Sequence, residues 1–82
     1  MKLVYTGRAA KDIRRLPPEV KQRLKITLER HRSDPLTHAR KLRNPELGGY
    51  RFRMGDYRIV FDVEDDTIVI LRVGHRRDVY RG

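Results

Sequence analysis

The chain has 82 residues, 38% of them charged and 38% hydrophobic, and it contains no cysteine. This length predicts one small domain, residues 1–82, and the lack of cysteine excludes disulfides and thiolate metal sites. A formal net charge of +9 favours polyanionic partners, namely nucleic acid, an anionic membrane or an acidic protein, with solubility alone as the alternative. No apolar run is long enough for a signal peptide or a membrane span, so we expect a soluble cytoplasmic protein without a membrane partner.

The N-terminal half predicts one strand followed by two helices. β-Favouring residues predict a strand over Lys2 to Tyr5, and Thr6 is a suitable N-cap for a helix from Arg8 to Leu16. Pro17-Pro18 ends that helix, because proline disfavours the helical conformation of the residue before it. A second helix is predicted from Pro18 to Arg32, with an inward face that recurs every three or four residues. That face consists of Val20, Leu24, Thr27, Leu28 and His31.

The second half predicts a loop and three strands. Residues 36–49 lack periodicity, and we expect an ordered loop that packs its leucines, Leu36, Leu42 and Leu47. After a hairpin, a polar turn at residues 64–66 leads into a last strand from Thr67 to Val73, which Gly74 ends. This strand is apolar on both faces and therefore suits the centre of a sheet. The order βααβββ predicts an α+β domain with two N-terminal helices on one face of a mainly antiparallel, twisted sheet, and a ligand on the other face.

The hairpin at residues 50–61 is the most informative segment. Gly55-Asp56 suits a type II′ turn, and the resulting register puts one apolar set on one face: Tyr50, Phe52, Met54, Tyr57, Ile59 and Phe61. On the other face Arg53 lies opposite Arg58, with Arg51 two residues away. Like charges that face each other across strands are destabilising, so these arginines indicate an anion ligand. The alternative is that each arginine pairs with a carboxylate, either Asp56, Asp62 or Asp78, and Asp62 shares their face.

The C-terminal tail adds further candidates to this surface. Arg76 reaches it if the last strand lies beside the strand of Arg58. Tyr80 lies among basic residues, where an aromatic ring can stack on an unpaired base, although it could equally anchor the C-terminus. His75 is expected to follow Val73 onto the arginine face by strand alternation, where a histidine could transfer protons. No combination of residues indicates a catalytic triad or a metal site.

Five segments taken in chain order carry a further signal: Ala10 to Pro17, Lys41 to Arg43, Gly49 to Arg53, Gly55 to Val60, and Val73 to Tyr80. Each is weak alone, but Gly-Asp-Tyr-Arg-hydrophobic followed by a terminal Gly-His-Arg-x-x-Val-Tyr is fairly specific. Together they resemble the RelE/ParE superfamily of toxins, nearer the RelE branch, over almost the whole chain.

The resemblance implies a RelE-like toxin domain with a microbial-ribonuclease-like fold, from a type II toxin-antitoxin pair. Such a toxin cuts messenger RNA in the A site of the 30S ribosomal subunit and inhibits translation, without a cofactor. The RNA 2′-hydroxyl attacks the adjacent phosphate and leaves a 2′,3′-cyclic phosphate. The implied partners are a RelB-like antitoxin and ribosome-bound messenger RNA, with operator DNA bound only through the antitoxin complex.

The resemblance also implies roles for residues. The expected catalytic residues are Arg58, Arg76, Tyr80 and His75, and the expected RNA-binding residues are Arg51, Arg53, Arg77 and Arg81. Family members carry lysines where this chain has Arg51 and Arg53, and a lysine can serve as a base whereas an arginine hardly can. Proton transfer therefore falls to His75 or Tyr80, or the protein is a weak nuclease that relies on charge and ribosomal alignment. Two other functions are open, a ParE-like inhibitor of DNA gyrase and a non-catalytic RNA-binding domain.

Overall fold

The computed structural model describes residues 1–44 and 46–80. Its elements in chain order are β1 Lys2–Tyr5, α1 Gly7–Arg14, α2 Pro18–His31, α3 Pro35–His38, β2 Arg40–Lys41, β3 Tyr50–Met54, β4 Tyr57–Glu64 and β5 Thr67–His75. The predicted βααβββ order is confirmed, and the segment expected to be a loop adds a one-turn helix and a two-residue strand.

The five strands form one sheet in the order β1-β5-β4-β3-β2. β1 runs parallel to β5, and the other neighbours are antiparallel. β5 therefore has strands on both sides, as its two apolar faces predict. Since β5 also borders β4, the chain that follows β5 emerges next to the hairpin.

An N-cap and a half-buried carboxylate hold the first helix in place. The Thr6 hydroxyl accepts a hydrogen bond from the backbone N–H of Ala9 at 3.1 Å, which confirms the predicted N-cap. α1 ends at Arg14, two residues before the expected end, and α2 ends one residue early. The Asp12 carboxylate accepts hydrogen bonds from Arg72 Nε at 2.8 Å and from the backbone N–H of Val73 at 3.0 Å. Asp12 thereby fastens α1 to β5.

The core lies between α2 and the sheet. Leu24 and Leu28 of α2 are buried together with Phe52 and Phe61, whose ring centroids are 4.3 Å apart. The burial of each large apolar side chain contributes about 1.5–3 kcal/mol. A shift of the hairpin register by one residue would turn Phe52 towards solvent, so the core holds the register in place.

His31, like Thr27, is only half-buried on the predicted inward face of α2, whereas Val20, Leu24 and Leu28 are buried. Its ring stacks on His38 with a centroid distance of 4.1 Å and lies 5.1 Å from the ring of Phe52. Nδ1 of His31 is buried and has no hydrogen-bond partner among the described residues. Burial first, and then the positive fields of His38 and Arg30, lower the pKa of His31 below its ordinary value.

The second face of the sheet is partly covered, which corrects the expectation that it is open. Gly48 lies over Val60 and Leu71, so close that a Cβ on this glycine would come 2.7 Å from a methyl group of Val60. Near the other end, Val79 packs on Gly74. Leu36 does not pack as predicted, since it is 49% exposed. What is left open is the surface of the hairpin arginines.

Candidate functional site

The hairpin of β3 and β4 has the predicted register. Arg53 lies directly opposite Arg58, and Gly55 has a φ of +61°, as the first central position of a type II′ turn requires. Because Phe52 is held in the core, the alternation of the strand directs Arg51 and Arg53 to the opposite face. Three guanidinium groups therefore belong to one surface.

Arg58 is a buried cation, with only 6% of its surface exposed. Its Nη1 donates hydrogen bonds to the carbonyl oxygens of Gly55 at 2.8 Å and Tyr57 at 2.9 Å, while Nε is buried without a partner among the described residues. The removal of an ion from water costs several kcal/mol. Two carbonyls offset part of this cost, and an anion bound to the guanidinium would offset more.

The surroundings of Arg58 are mainly cationic. Burial lowers the pKa of Arg58 most, and the neighbouring charges of Arg53, Arg51 and Arg76 lower it further, whereas Tyr80 opposes them. Each of these groups is therefore close enough to Arg58 to act on it electrostatically. The positive field of these arginines disfavours a buried cation and favours a bound anion.

Tyr80 lies among these arginines. Nη1 of Arg51 is 3.4 Å from the Tyr80 hydroxyl oxygen, and the tyrosine is half-buried. The structure thus brings together the four arginines and the tyrosine singled out in the sequence, here called the arginine cluster: Arg51, Arg53, Arg58, Arg76 and Tyr80. Their roles in binding or catalysis stay predictions.

The carboxylate alternative is wrong for the hairpin arginines in the described part of the chain. Asp56 contacts Arg76 alone, at 3.9 Å between Oδ1 and Nε, and both side chains are largely exposed, so this pair contributes little stability. Asp62 instead accepts a hydrogen bond from the backbone N–H of Gly49. Asp78 forms no ion pair with a hairpin arginine within residues 1–44 and 46–80. Within the described residues, the charges of Arg51, Arg53 and Arg58 therefore have no carboxylate partner, and that of Arg76 has only this exposed contact.

His75 lies on the other face of the sheet, contrary to the expectation from alternation. A β-bulge is the reason: Phe61 pairs with Ile70 whereas Val60 pairs with Arg72, so one extra residue shifts the alternation of β5. β5 also continues through Gly74, which takes the place opposite Arg58. His75 pairs with Tyr57, and their rings meet edge to face at 5.7 Å.

The tail reaches the arginine cluster through a tight turn. The backbone N–H groups of Asp78 and Val79 both donate to the carbonyl oxygen of His75, at 2.8 and 3.0 Å. This turn folds Val79 back onto Gly74 and places Tyr80 beside the hairpin. Arg77 is exposed, and its backbone N–H donates to Nδ1 of His75. The predicted RNA-binding residue Arg81 lies outside the described residues.

A groove of about 460 Å³ borders the cluster, and sequence reasoning did not find it as a site. Arg51 and Tyr80 contribute to it, and the end of β2 and the loop after it supply the rest: Lys41, Leu42, Arg43, Asn44 and Leu47. The Lys-Leu-Arg segment was informative only as part of the family resemblance. No periodicity could show that this loop folds back against the tail.

Two absences hold for the part of the chain that the structure describes. No group of three or more His, Cys, Asp or Glu side chains in it could hold a metal ion. None of its helices is both long and apolar enough to cross a membrane.

The fold places the protein among RelE-type toxins. It superposes on the isolated RelE toxin of Escherichia coli with a TM-score of 0.76 at 29% identity, over 90% of this chain and 82% of that one. The toxin-antitoxin complex RelBE2 of Mycobacterium tuberculosis matches with a TM-score of 0.76 at 32% identity, over 92% of this chain and 96% of that one. The RelB-RelE complex of Methanococcus jannaschii matches with a TM-score of 0.74 at 28% identity, over 95% of both chains.

The sequence defines the family more closely. The profile of the ParE toxins of type II toxin-antitoxin systems matches residues 3–80, so the chain belongs to this family. Toxin RelE3 of Methanocaldococcus jannaschii is 32% identical over 84 residues, covering 98% of this chain and 96% of that protein. Toxin RelG of Mycobacterium tuberculosis is 36% identical over 83 residues, covering 94% and 92%. The protein is a toxin of the RelE branch, as the sequence motifs predict.

Proposed function

We propose that this toxin is a metal-independent endoribonuclease that cuts messenger RNA in the ribosomal A site and so inhibits translation. The observation that supports this most is the burial of Arg58 beside three other arginines, without a carboxylate partner among the described residues. A phosphodiester is the anion that suits such a cluster, because guanidinium groups bind phosphate oxygens in a bidentate manner and stay charged.

The proposed reaction is an internal transesterification of RNA. The 2′-oxygen forms a bond to the adjacent phosphorus, the bond from phosphorus to the 5′-oxygen breaks, and a 2′,3′-cyclic phosphate results. One base removes the proton of the 2′-hydroxyl, and the departing 5′-oxygen takes up a proton. Extra negative charge develops on the non-bridging oxygens, where Arg58 and Arg76 stabilise it. Such electrostatic stabilisation is commonly the largest catalytic contribution.

Geometry favours Tyr80 over His75 as the group that transfers the proton. Tyr80 lies within the cluster beside Arg51, whereas His75 is on the opposite face of the sheet. Accordingly, Tyr80→Phe should slow cleavage by at least about 10²-fold, the usual scale for proton transfer, and His75→Ala should slow it by less than about tenfold. The reverse order of these effects would restore His75 as the base.

We also propose a RelB-like antitoxin as the cognate partner, as in the RelB-RelE complexes that share the fold. A second groove, of about 420 Å³, opens between β1, α1 and α2 and is lined mostly by apolar side chains such as Tyr5, Ile13 and Leu24. Lys21 and Lys25 contribute to the same lining. An amphipathic antitoxin helix with acidic residues would suit this combination, and operator DNA would bind only through the resulting complex.

Induced expression with primer extension on a reporter transcript tests the proposal. Wild type should yield in-frame cuts that vanish in Arg58→Ala and Arg76→Ala, because both variants lose stabilisation of the transition state. Arg30→Ala removes the same charge from an exposed position on α2 and should cut like wild type. Growth arrest with DNA breaks and intact transcripts would instead identify a gyrase inhibitor. RNA binding with a steep salt dependence and no cyclic-phosphate ends would identify a non-catalytic RNA-binding domain.

A further inference from the structure

The groove beside the arginine cluster has the character of a nucleobase site. Its volume of about 460 Å³ falls within the range of roughly 300–1,000 Å³ typical of small-molecule sites. Tyr80 supplies an aromatic ring, and Leu42 and Leu47 supply half-buried apolar surface opposite a few polar groups. Unpaired RNA bases bind to surfaces of this composition, through stacking and hydrogen bonds to the base edge.

Asn44 is the polar group of this groove whose orientation is set by the loop itself. Its Oδ1 accepts a hydrogen bond from the backbone N–H of Glu46 at 3.1 Å, and its carbonyl oxygen accepts from the N–H of Leu47 at 3.1 Å. Because Oδ1 is held by this turn, the Nδ2 amino group is the end of the amide that keeps both of its donors for a ligand. Nδ2 has no hydrogen-bond partner among residues 1–44 and 46–80.

We infer that this groove holds the base of a nucleotide that flanks the cleaved bond, and that Asn44 selects keto bases. The inference rests on the proposed nuclease activity and adds a base preference to it. Guanine and uracil carry a carbonyl oxygen where adenine and cytosine carry an amino group. The Nδ2 group of Asn44 can donate a hydrogen bond to that oxygen. It cannot bond to the amino group of adenine or cytosine, because both groups are donors. Arg51, which borders the same groove, would hold the adjacent phosphate.

A structural role for Asn44 is the competing explanation, since its bond to Glu46 also closes a turn. Two substitutions separate the roles. Asn44→Asp keeps the oxygen that closes the turn but replaces the amino group by a second acceptor. Asn44→Ser keeps a turn-closing oxygen and leaves nothing to face the base. A purely structural role therefore predicts unchanged base preference in both variants.

The experiment is cleavage of ribosome-bound messenger RNA randomised at the two nucleotides that flank the cut, followed by sequencing of the ends. Wild type should favour G and U over A and C by about threefold to tenfold at one of these positions, the value of one net hydrogen bond. Asn44→Asp should shift the preference towards A and C, and Asn44→Ser should abolish it. Lys41→Gln removes one positive charge from the same groove and should slow cleavage at all sequences equally.

The outcomes distinguish this inference from the proposed function. If wild type cleaves, and if wild type, Asn44→Asp and Asn44→Ser all show the same base ratios, the inference is overturned and the nuclease activity stands. Absence of cleavage by wild type would overturn both. If Asn44→Asp fails to fold by circular dichroism, the comparison of wild type with Asn44→Ser still decides, because only base reading makes their ratios differ.

Discussion

Replacement of Arg58 by methionine separates the chemistry of this side chain from its contribution to stability. Methionine matches the arginine side chain as far as Nε, so it fills the part of the buried space nearest the backbone without a charge. The substitution gives up two hydrogen bonds, to the carbonyl oxygens of Gly55 and Tyr57. At about 1.5–3 kcal/mol for a bond to a charged group, this loss is about 3–6 kcal/mol.

The desolvation cost of the buried guanidinium acts in the opposite direction. Arg58 is 6% exposed and has no carboxylate partner among the described residues, so several kcal/mol of desolvation disappear with the charge. Repulsion from Arg53, Arg51 and Arg76 disappears as well. The two sides nearly cancel, and we expect the free energy of unfolding of Arg58→Met to stay within about 2 kcal/mol of wild type.

Cleavage should respond very differently from stability. Removal of one group that stabilises transition-state charge costs about 2.7–4 kcal/mol, or about 10²–10³-fold in rate. Urea unfolding and single-turnover cleavage of ribosome-bound messenger RNA measure the two quantities on one preparation. The reasoning is refuted if Arg58→Met is largely unfolded and its remaining cleavage rate is simply proportional to the folded fraction. It is also refuted if the folded variant cleaves within tenfold of the wild-type rate.

Three further predictions concern stability, measured by urea unfolding. As the pH falls below 6.5, the ordinary pKa of histidine, the unfolded chain takes up a proton more readily than folded His31, whose pKa is lowered. The free energy of unfolding therefore falls, and His31→Phe should remove this part of the acid sensitivity. Asp12→Asn should cost about 1–3 kcal/mol, because it leaves the Arg72 charge without a partner. Gly48→Ala should cost about 1–3 kcal/mol, since the new methyl group would meet Val60 and φ is +146°.

Each of these predictions has a control and a contrary result. Equal acid sensitivity of wild type and His31→Phe would show that other groups cause it. Glu29→Gln breaks an exposed ion pair and should cost below about 1 kcal/mol. An equally small loss in Asp12→Asn would contradict a larger contribution from the half-buried pair of Asp12 and Arg72. Gly7→Ala adds a methyl group with nothing within 4 Å, and a loss as large as that of Gly48→Ala would contradict the steric argument.

Local pattern was sufficient for the hairpin and for the arginines on it. Alternation with period two assigns Phe52 and Arg53 to opposite faces whatever surrounds the strands, and a Gly-first pair at Gly55 selects the turn. The convergence of Tyr80 with Arg51 was also expected, though on family resemblance and the assumption that the last strand lies beside the hairpin. That assumption holds because β5 borders β4.

The predictions of which face a residue occupies failed in two places. In one, an extra residue shifts the alternation of a strand; in the other, a loop has no periodicity to interpret. The bulge in β5 moves His75 to the opposite face, and the sequence does not mark a bulge in a strand that carries apolar residues on both faces. The predicted loop of residues 36–49 was expected to bury Leu36, but Leu36 is exposed, and Gly48 of this segment covers Val60 and Leu71. Such contacts depend on close approach of distant segments rather than on local preference.

By itself, the sequence determined the number of strands in the hairpin, its register, the two long helices and the excess of positive charge, because each of these follows from spacing and composition within a short segment. Only the tertiary structure decided that Arg58 is buried with no carboxylate beside it among the described residues, that Asp62 binds the backbone N–H of Gly49, and that Asn44 shares a groove with Tyr80. These facts depend on which segments meet in space. The bulge in β5 and the turn of the tail position these segments, and both depend on packing over the whole domain.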